Sequence, residues 1–389
     1  AAVSASEAGA SVILVEKTAM LGGNTMRSGG FFNAVVEGRQ ESLEMTPQKL
    51  ETVQSYIDME PKNEIMANWQ KELQADLDEY EASGVTYLFD SIYLHMLQTY
   101  SDGDFYGNPT LIEYFCTEAP NTYRWLEERG YPWGDAPRII TGSLWQRTNF
   151  SSTYKAGYGY FKVLEDYIAQ KSLPVQILYE VTAESLLTDN GAVTGATATG
   201  NDGTQYTLNA GKGVIVATGG FSANVEMREK YNEQWPEIGA GVITSNTPAI
   251  TGDGIRMAEA VGADLVDMGL IQFFPVADPW TGETNTGVGI MTNPYINKEG
   301  KRYVDETSRR DVLTKANLSQ TDGLIYIVSS QANSLITPEG KNNYGYDVEQ
   351  MIAAGKVFKA DTLPELAELI GVPADALVET IAKYNEGVD

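Results

Sequence analysis

The segment that most constrains the fold is Ser11-Val-Ile-Leu-Val-Glu16, a short apolar run that closes on an acid and is soon followed by Gly22-Gly23. Such a run, bounded by turn residues, reads as a buried strand. Ahead of it, residues 1–10 are mostly small and helix-compatible. Helix then strand is the second half of a β-α-β unit. In a dinucleotide-binding unit the acid closing the second strand hydrogen-bonds a ribose and stands about 20 residues after the glycine fingerprint. Counting back from Glu16 puts that fingerprint before Ala1. The chain is therefore expected to start inside the first helix, with the first strand and the phosphate-cradling loop upstream.

Further along, Ser28-Gly-Gly30 leads into a polar stretch from about residue 37 to 133 that reads as a helical elaboration. Residues 175–207 alternate in the manner of strands, and Asp189-Asn-Gly191 between two apolar pairs is a hairpin signal. Gly213-Val-Ile-Val-Ala-Thr-Gly-Gly220 reads as a buried parallel strand running into a glycine turn. Thr251-Gly-Asp-Gly254 opens an amphipathic helix over 255–261, and a last helix is expected over 374–384.

Composition narrows the function. With 27 Lys plus Arg against 53 Asp plus Glu, the formal charge of −26 repels phosphate backbones and anionic lipid, so neither nucleic acid nor a membrane surface is an expected partner. No apolar run approaches the roughly 20 residues of a membrane span. Cys116 and His95 are each the only residue of their kind. That removes intrachain disulfides, iron–sulfur and His-rich metal sites, and no metal is expected. His95, between Leu94 and Met96, reads as a packed residue. The compartment stays open between bacterial cytoplasm and export to periplasm or cell surface.

Taken singly, glycine pairs and acidic strand ends mark ordinary turns. Their order carries more. Glu16-Lys17, Gly22-Gly-Asn-Thr25, Ser28-Gly-Gly30, Ala217-Thr-Gly-Gly-Phe221, Thr251-Gly-Asp-Gly254, Asn297-Lys-Glu-Gly-Lys-Arg-Tyr-Val-Asp-Glu306 and Arg310-Asp311 resemble the fumarate reductase and succinate dehydrogenase flavoprotein family. Among its members the chain resembles the soluble flavocytochrome c fumarate reductases and urocanate reductases. The resemblance spans nearly the whole chain, apart from an insertion at about 37–107. It implies an α/β fold: a Rossmann-like FAD-binding domain at 1–275 with an inserted β-meander, and a mobile α+β capping domain at 276–389 whose return to the first domain lies downstream.

The resemblance also assigns roles. Glu16 would accept from the adenosine ribose, and Lys17 begins the loop leaving the strand. Gly22 and Gly23 would let backbone approach FAD. Asn24, Thr25, Ser28, Gly29 and Gly30 match positions along the pyrophosphate, ribityl chain and isoalloxazine, and Gly30 also faces substrate. Val181 matches the residue at the adenine edge. Ala217, Thr218 and Gly219 belong to the cofactor strand, and Asp253 matches the acid on the ribityl hydroxyls. Arg310 matches the arginine that protonates the substrate carbon while flavin N5 delivers hydride to its neighbour. A guanidinium resists deprotonation, so the milder reading is charge stabilisation.

Departures from the family pattern bear on substrate. Where the family has a carboxylate-binding His, Gln272-Phe-Phe-Pro275 places Phe274. Thr286, near Glu283 and Thr284, is the remaining substrate-binding candidate in a stretch without an arginine. The expected activity is reduction of an α,β-unsaturated carboxylate of fumarate, urocanate or arylacrylate type, held with one end on Arg310 and the other against Phe274. Electrons would come from an external donor, a heme or FMN carrier domain or protein. Two alternatives stay open: a flavin-dependent 3-ketosteroid dehydrogenase and a flavin electron carrier without substrate chemistry.

Overall fold

The computed structural model describes residues 1–140, 143–236, 238–277, 292–342 and 346–387. The chain divides into two compact units. One comprises Ala1–Ala2, Val12–Arg27 and Gln176–Asp389; the other comprises Val3–Ser11 and Ser28–Val175. At the start of the chain, helix α1 (Ala2–Glu7) runs into strand β1 (Val12–Val15), as the apolar run predicts.

The unit built on 28–175 is mainly helical. A short ribbon pairs β2 (Phe32–Asn33) with β3 (Thr148–Asn149), and between them lie α2 (Pro47–Asp58), α3 (Glu64–Ser83), α4 (Ile92–Ser101) and α5 (Pro109–Glu128), with α6 (Tyr158–Lys171) following. Each start has a local cause. Thr46, Asn63, Ser91 and Asn108 accept hydrogen bonds from backbone amides of the first turns of α2 to α5. Gly84 stops α3 in the left-handed region at φ 70°. On α3 the buried residues Met66, Trp69, Gln70, Leu73 and Leu77 follow helical spacing, and the apolar ones among them meet Leu94, Leu97 and Cys116 in one core. His95 is 5% exposed on α4, a packed position as its neighbours suggest. Burial pushes the Cys116 thiol up to about 11.

In the other unit β1 pairs with β4 (Val175–Leu178), and a meander follows: β5 (Val181–Asp189), β6 (Ala192–Gly200) and β7 (Gln205–Asn209), in that order and antiparallel. Asp189 pairs with Ala192, leaving Asn190-Gly191 as a two-residue loop with φ of 48° and 81°. Both positive values are what the favoured hairpin turn demands. Then come α7 (Val225–Tyr231) and α8 (Asp253–Ala260).

The segment 213–220 departs from expectation: no strand forms there, and Val214, Ile215 and Val216 are 37%, 67% and 44% exposed. A parallel strand is buried only when neighbours pair with it and helices cover its faces. None of the described strands pairs with this segment.

After residue 292, β8 (Tyr295–Asn297) pairs antiparallel with β9 (Ile325–Ile327), flanking α9 (Arg310–Leu318), and α10 (Val348–Ala353), α11 (Leu363–Ile370) and α12 (Ala374–Glu386) complete the described chain. Thr362 and Glu365 form a reciprocal capping box on α11, and Gly371 ends it at φ 71°. Ile296, Val328, Ala367, Ile370 and Leu377 form the local core. The mixture of helices and short sheets with an inserted meander is the expected α/β class.

Candidate flavin and substrate site

Four segments far apart in sequence meet around the end of β1. The Glu16 amide donates to Leu178 O at 2.9 Å and Glu16 O accepts from the Val181 amide at 3.0 Å, which fixes Val181 beside the acid. Lys17 Nζ reaches Asp253 Oδ2 at 2.6 Å and Thr251 Oγ1 at 2.9 Å. The Gly254 amide donates to Thr218 Oγ1 at 3.2 Å, and the Gly252 amide to Gly220 O at 3.0 Å. Glycine is required at 254, because a Cβ there would stand 2.2 Å from Thr218 Oγ1. Glu16, Lys17, Val181, Thr218 and Asp253 are thereby tied into one hydrogen-bonded neighbourhood; Ala217 and Gly219 flank Thr218, and both are exposed.

The carboxylates retain capacity for a ligand. Glu16 Oε1 accepts from the Thr18 amide and from Thr18 Oγ1, each at 2.8 Å, while Oε2 makes no hydrogen bond among the described residues. Asp253 accepts from Thr251 and Arg256 on Oδ1 and from Lys17 on Oδ2. A carboxylate has about four lone-pair sites, so one remains. Burial opposes the Asp253 charge, but hydrogen bonds from Lys17 and Thr251 and the charges of Lys17 and Arg256 outweigh it, holding its carboxyl below the usual range.

The glycine turn behaves less simply than its sequence suggests. A Cβ on Gly22 would stand 2.1 Å from Met26 Cγ, so that glycine serves the chain's own packing, whereas Gly23, at φ 44°, has nothing within 4 Å. Asn24 Nδ2 donates to Asn246 Oδ1, and Asn24 Oδ1 accepts from the Thr247 amide at 2.9 Å. Thr25 is exposed within the 3₁₀ turn Gly23–Arg27. Ser28, Gly29 and Gly30 belong to the helical unit. There Ser28 Oγ accepts from the Gly30 amide at 3.2 Å, and Gly30 O accepts from Tyr160 OH at 3.0 Å. A Cβ on Gly29 would meet the Phe31 ring at 2.3 Å, and one on Gly30 would meet Ala156 O at 2.0 Å. Sequence reasoning missed Thr251, Asn246 and Thr247 as partners. Only Thr251 carried a signal, two residues before the acid.

Arg310 opens α9, and Phe274 packs against Val276, Tyr295 and Leu313. The Arg310 guanidinium carbon lies 5.4 Å from the Phe274 ring centroid. The sequence reading sets the two at opposite ends of a substrate; here they are side by side, because a cation favours an aromatic face. Burial pushes the Arg310 pKa down. Of the nearby acids, Glu306 pairs with Arg302 at 2.6 Å and Asp311 with Arg309 at 3.0 Å. Next to Phe274, Phe273 stacks on Trp235 with centroids 4.7 Å apart. Thr286 lies outside the described residues, as do Glu283 and Thr284.

The class this arrangement defines is a flavin-binding one. The chain belongs to the FAD binding domain family, whose model matches residues 1–89 and 87–389. It is 37% identical over 406 residues to the NADH:acrylate oxidoreductase of Vibrio harveyi, covering 100% of this chain and 40% of that protein. It is 31% identical to the urocanate reductase of Eggerthella lenta, covering 99% of this chain and 56% of that protein. Among solved structures, the open conformation of a flavocytochrome c3 fumarate reductase matches with a TM-score of 0.66 at 23% identity, covering 100% of this chain and 59% of that one. The chain thus spans about half the length of the curated relatives it matches, or less.

FAD is the cofactor of this family, and the residues present fit it. Glu16 Oε2 and the remaining site on Asp253 are acceptors suited to ribose and ribityl hydroxyls. Gly23 leaves its approach open, and 217–220 is exposed beside both.

Proposed function

We propose that this chain is the flavin-bearing part of a reductase that saturates the C=C bond of a small α,β-unsaturated monocarboxylate, with Arg310 as the group that meets the carboxylate. The observation that carries this reading is the half-buried guanidinium of Arg310 flanked by Phe274. In it, residues 1–275 hold FAD and 276–389 form the capping domain that carries Arg310. Glu16, Lys17, Val181, the glycine turn and Asp253 bind and orient the cofactor along its length.

Bound and reduced, FAD supplies the hydride. Addition of hydride at the β-carbon builds negative charge on the α-carbon and carboxylate. Arg310 stabilises that charge, and its planar fork matches a carboxylate in two-point contact. Burial strengthens the interaction by keeping water away.

Phe274 shapes the choice of substrate. A second carboxylate seated against an aromatic ring without a donor loses several kcal/mol of solvation. An acid with one carboxylate meets no such cost, which agrees with the acrylate named for the relative in Vibrio harveyi. In this reading electrons reach the flavin from an external heme or FMN carrier. The named relatives are reductases of unsaturated acids, which favours this chemistry over steroid dehydrogenation or electron carriage alone.

The test is turnover of the full-length holoprotein with a reduced dye donor on acrylate, fumarate, urocanate and cinnamate. Acrylate is expected to give the highest kcat/KM. Arg310→Lys and Arg310→Ala should retain FAD while losing at least about 100-fold in kcat, the scale of removing a transition-state charge partner. Wild-type turnover by the lysine variant, or fumarate as the best substrate, overturns the reading.

A further inference from the structure

Helix α9 carries Arg310 at its first residue, and the segment 273–275 carries Phe274; both lie in the unit that includes Gln176–Asp389. Thr314 and Asn317 follow Arg310 by four and seven positions, so the three share one helix face. The Thr314 hydroxyl donates to Arg310 O at 2.8 Å and stands 3.3 Å from Phe273 O. Asn317 Nδ2 donates to Pro275 O at 2.6 Å. The residues on either side of Phe274 are thus held by α9 through their carbonyls.

Asn317 is the firmer of the two holds. The residue is 6% exposed, and both ends of its carboxamide are engaged, because Oδ1 accepts from Tyr303 OH at 2.6 Å. The partners fix the orientation: a proline carbonyl only accepts, so it takes the amide nitrogen, and the phenol is left to donate to the oxygen. Burial, with Tyr295 and Glu306 nearby, pushes the Tyr303 pKa up and keeps that proton in place. Tyr303 also packs against the same apolar cluster as Phe274, around Val276, Tyr295 and Leu313.

The neighbouring ring is held as well. Phe273 stacks on Trp235, whose Nε1 donates to Ile271 O at 2.6 Å. The ammonium of Lys315, again on α9, stands 5.7 Å from the Trp235 ring centroid. Asn317 therefore ties the segment that bears the aromatic wall to the helix that bears the guanidinium, at the one point where a buried side chain bonds directly to the backbone next to Phe274.

We propose that Asn317 is a positioning residue for substrate selection: its carboxamide sets the separation of Phe274 from Arg310, and with it the size of substituent that fits beside a bound carboxylate. The proposal rests on the reading of Arg310 as the carboxylate-binding group. Without the bond to Pro275 O the segment is released from α9, the ring withdraws, and room opens for a bulkier acid. A misplacement of about 1 Å in a positioned group is enough to change rates by roughly 100-fold, so one hydrogen bond here has leverage on selectivity.

The test compares kcat/KM for cinnamate and acrylate in the FAD-loaded full-length protein with a reduced dye donor, with FAD content and melting temperature recorded for each variant. In Asn317→Ala the cinnamate-to-acrylate ratio should rise at least about tenfold while FAD is retained. Tyr303→Phe keeps the ring and removes only the hydroxyl that orients the amide, so its ratio should rise by about threefold, the scale of one hydrogen bond. A merely structural role lowers both acids alike and leaves the ratio where it was, and an unchanged ratio overturns the proposal. Where Asn317→Ala does not fold, Tyr303→Phe decides alone. Arg310→Lys, measured in parallel, separates the two failures. Wild-type turnover by that variant removes the carboxylate reading itself; its loss of turnover, with the Asn317 and Tyr303 ratios unchanged, removes the positioning role alone.

Discussion

The guanidinium carbon of Arg310 lies 5.4 Å from the centroid of the Phe274 ring, which gives the proposed carboxylate-binding group an aromatic wall. Replacing that wall by a donor is expected to change substrate choice. Phe274→His supplies a hydrogen-bonding partner for a second carboxylate, so the ratio of kcat/KM for fumarate to that for acrylate should rise at least about tenfold, the equivalent of roughly 1.4 kcal/mol. Steady-state kinetics on both acids measures it. An unchanged ratio would show that the ring has no part in selection.

The pair Lys17 and Asp253, 2.6 Å apart with side chains 26% and 19% exposed, is expected to govern cofactor affinity. Lys17→Met leaves a part-buried carboxylate short of its charged donor, at a cost of about 1–3 kcal/mol. FAD affinity should fall about tenfold or more, read by flavin fluorescence on dilution. Retention of wild-type affinity would remove Lys17 from the cofactor site.

Asp253 also predicts an acid limb in stability. Its carboxyl is held below the ordinary value of 3.8, so the stabilisation is complete above that value and fades as pH falls through the lowered one. Asp253→Asn should flatten this limb in melting temperatures recorded from about pH 6 to pH 2. Identical limbs in both proteins would contradict the ion pair.

His95 gives a second pH signature with its own window. Its folded pKa of about 3 lies below the unfolded value near 6.5, held there by burial and by Arg147. The unfolded chain therefore takes up a proton first, and stability is lost as pH falls from about 6.5 to about 3, by up to about 1.4 kcal/mol per unit. Chemical denaturation across that range, compared with His95→Phe, isolates the effect. Equal slopes would mean the imidazole titrates normally.

Local signals carried much of the fold. Asn190-Gly191 announced its hairpin because a two-residue turn with positive φ admits few residues. The polar stretch from about residue 37 to 133 was legible as helical from its composition, whereas the caps that start its helices, such as Thr46 and Asn63, emerge from the structure. Glu16 and Asp253 were legible as acids at a strand end and a helix start. What failed was long-range. The segment 213–220 has strand composition, yet pairing decides whether a strand forms, and pairing is not written in the segment itself. Arg310 and Phe274 are likewise neighbours only through α9 and the packing of Phe274 on Leu313. Lys17 looked like a loop residue because its partner lies 236 positions away.

The division of the chain has a consequence for how it emerges from the ribosome. Residues 28–175 are a continuous stretch that carries its own core, while the unit holding Lys17 and Asp253 is assembled from pieces on either side of it. Synthesis proceeds from the N-terminus at about 5–20 residues per second, and domains fold as units. The helical stretch is therefore able to fold while β1 still waits for β4 and Lys17 for Asp253. The strand Val12–Val15 thus cannot take β4 as its neighbour until about 160 more residues have been made, an interval on the order of ten seconds or more.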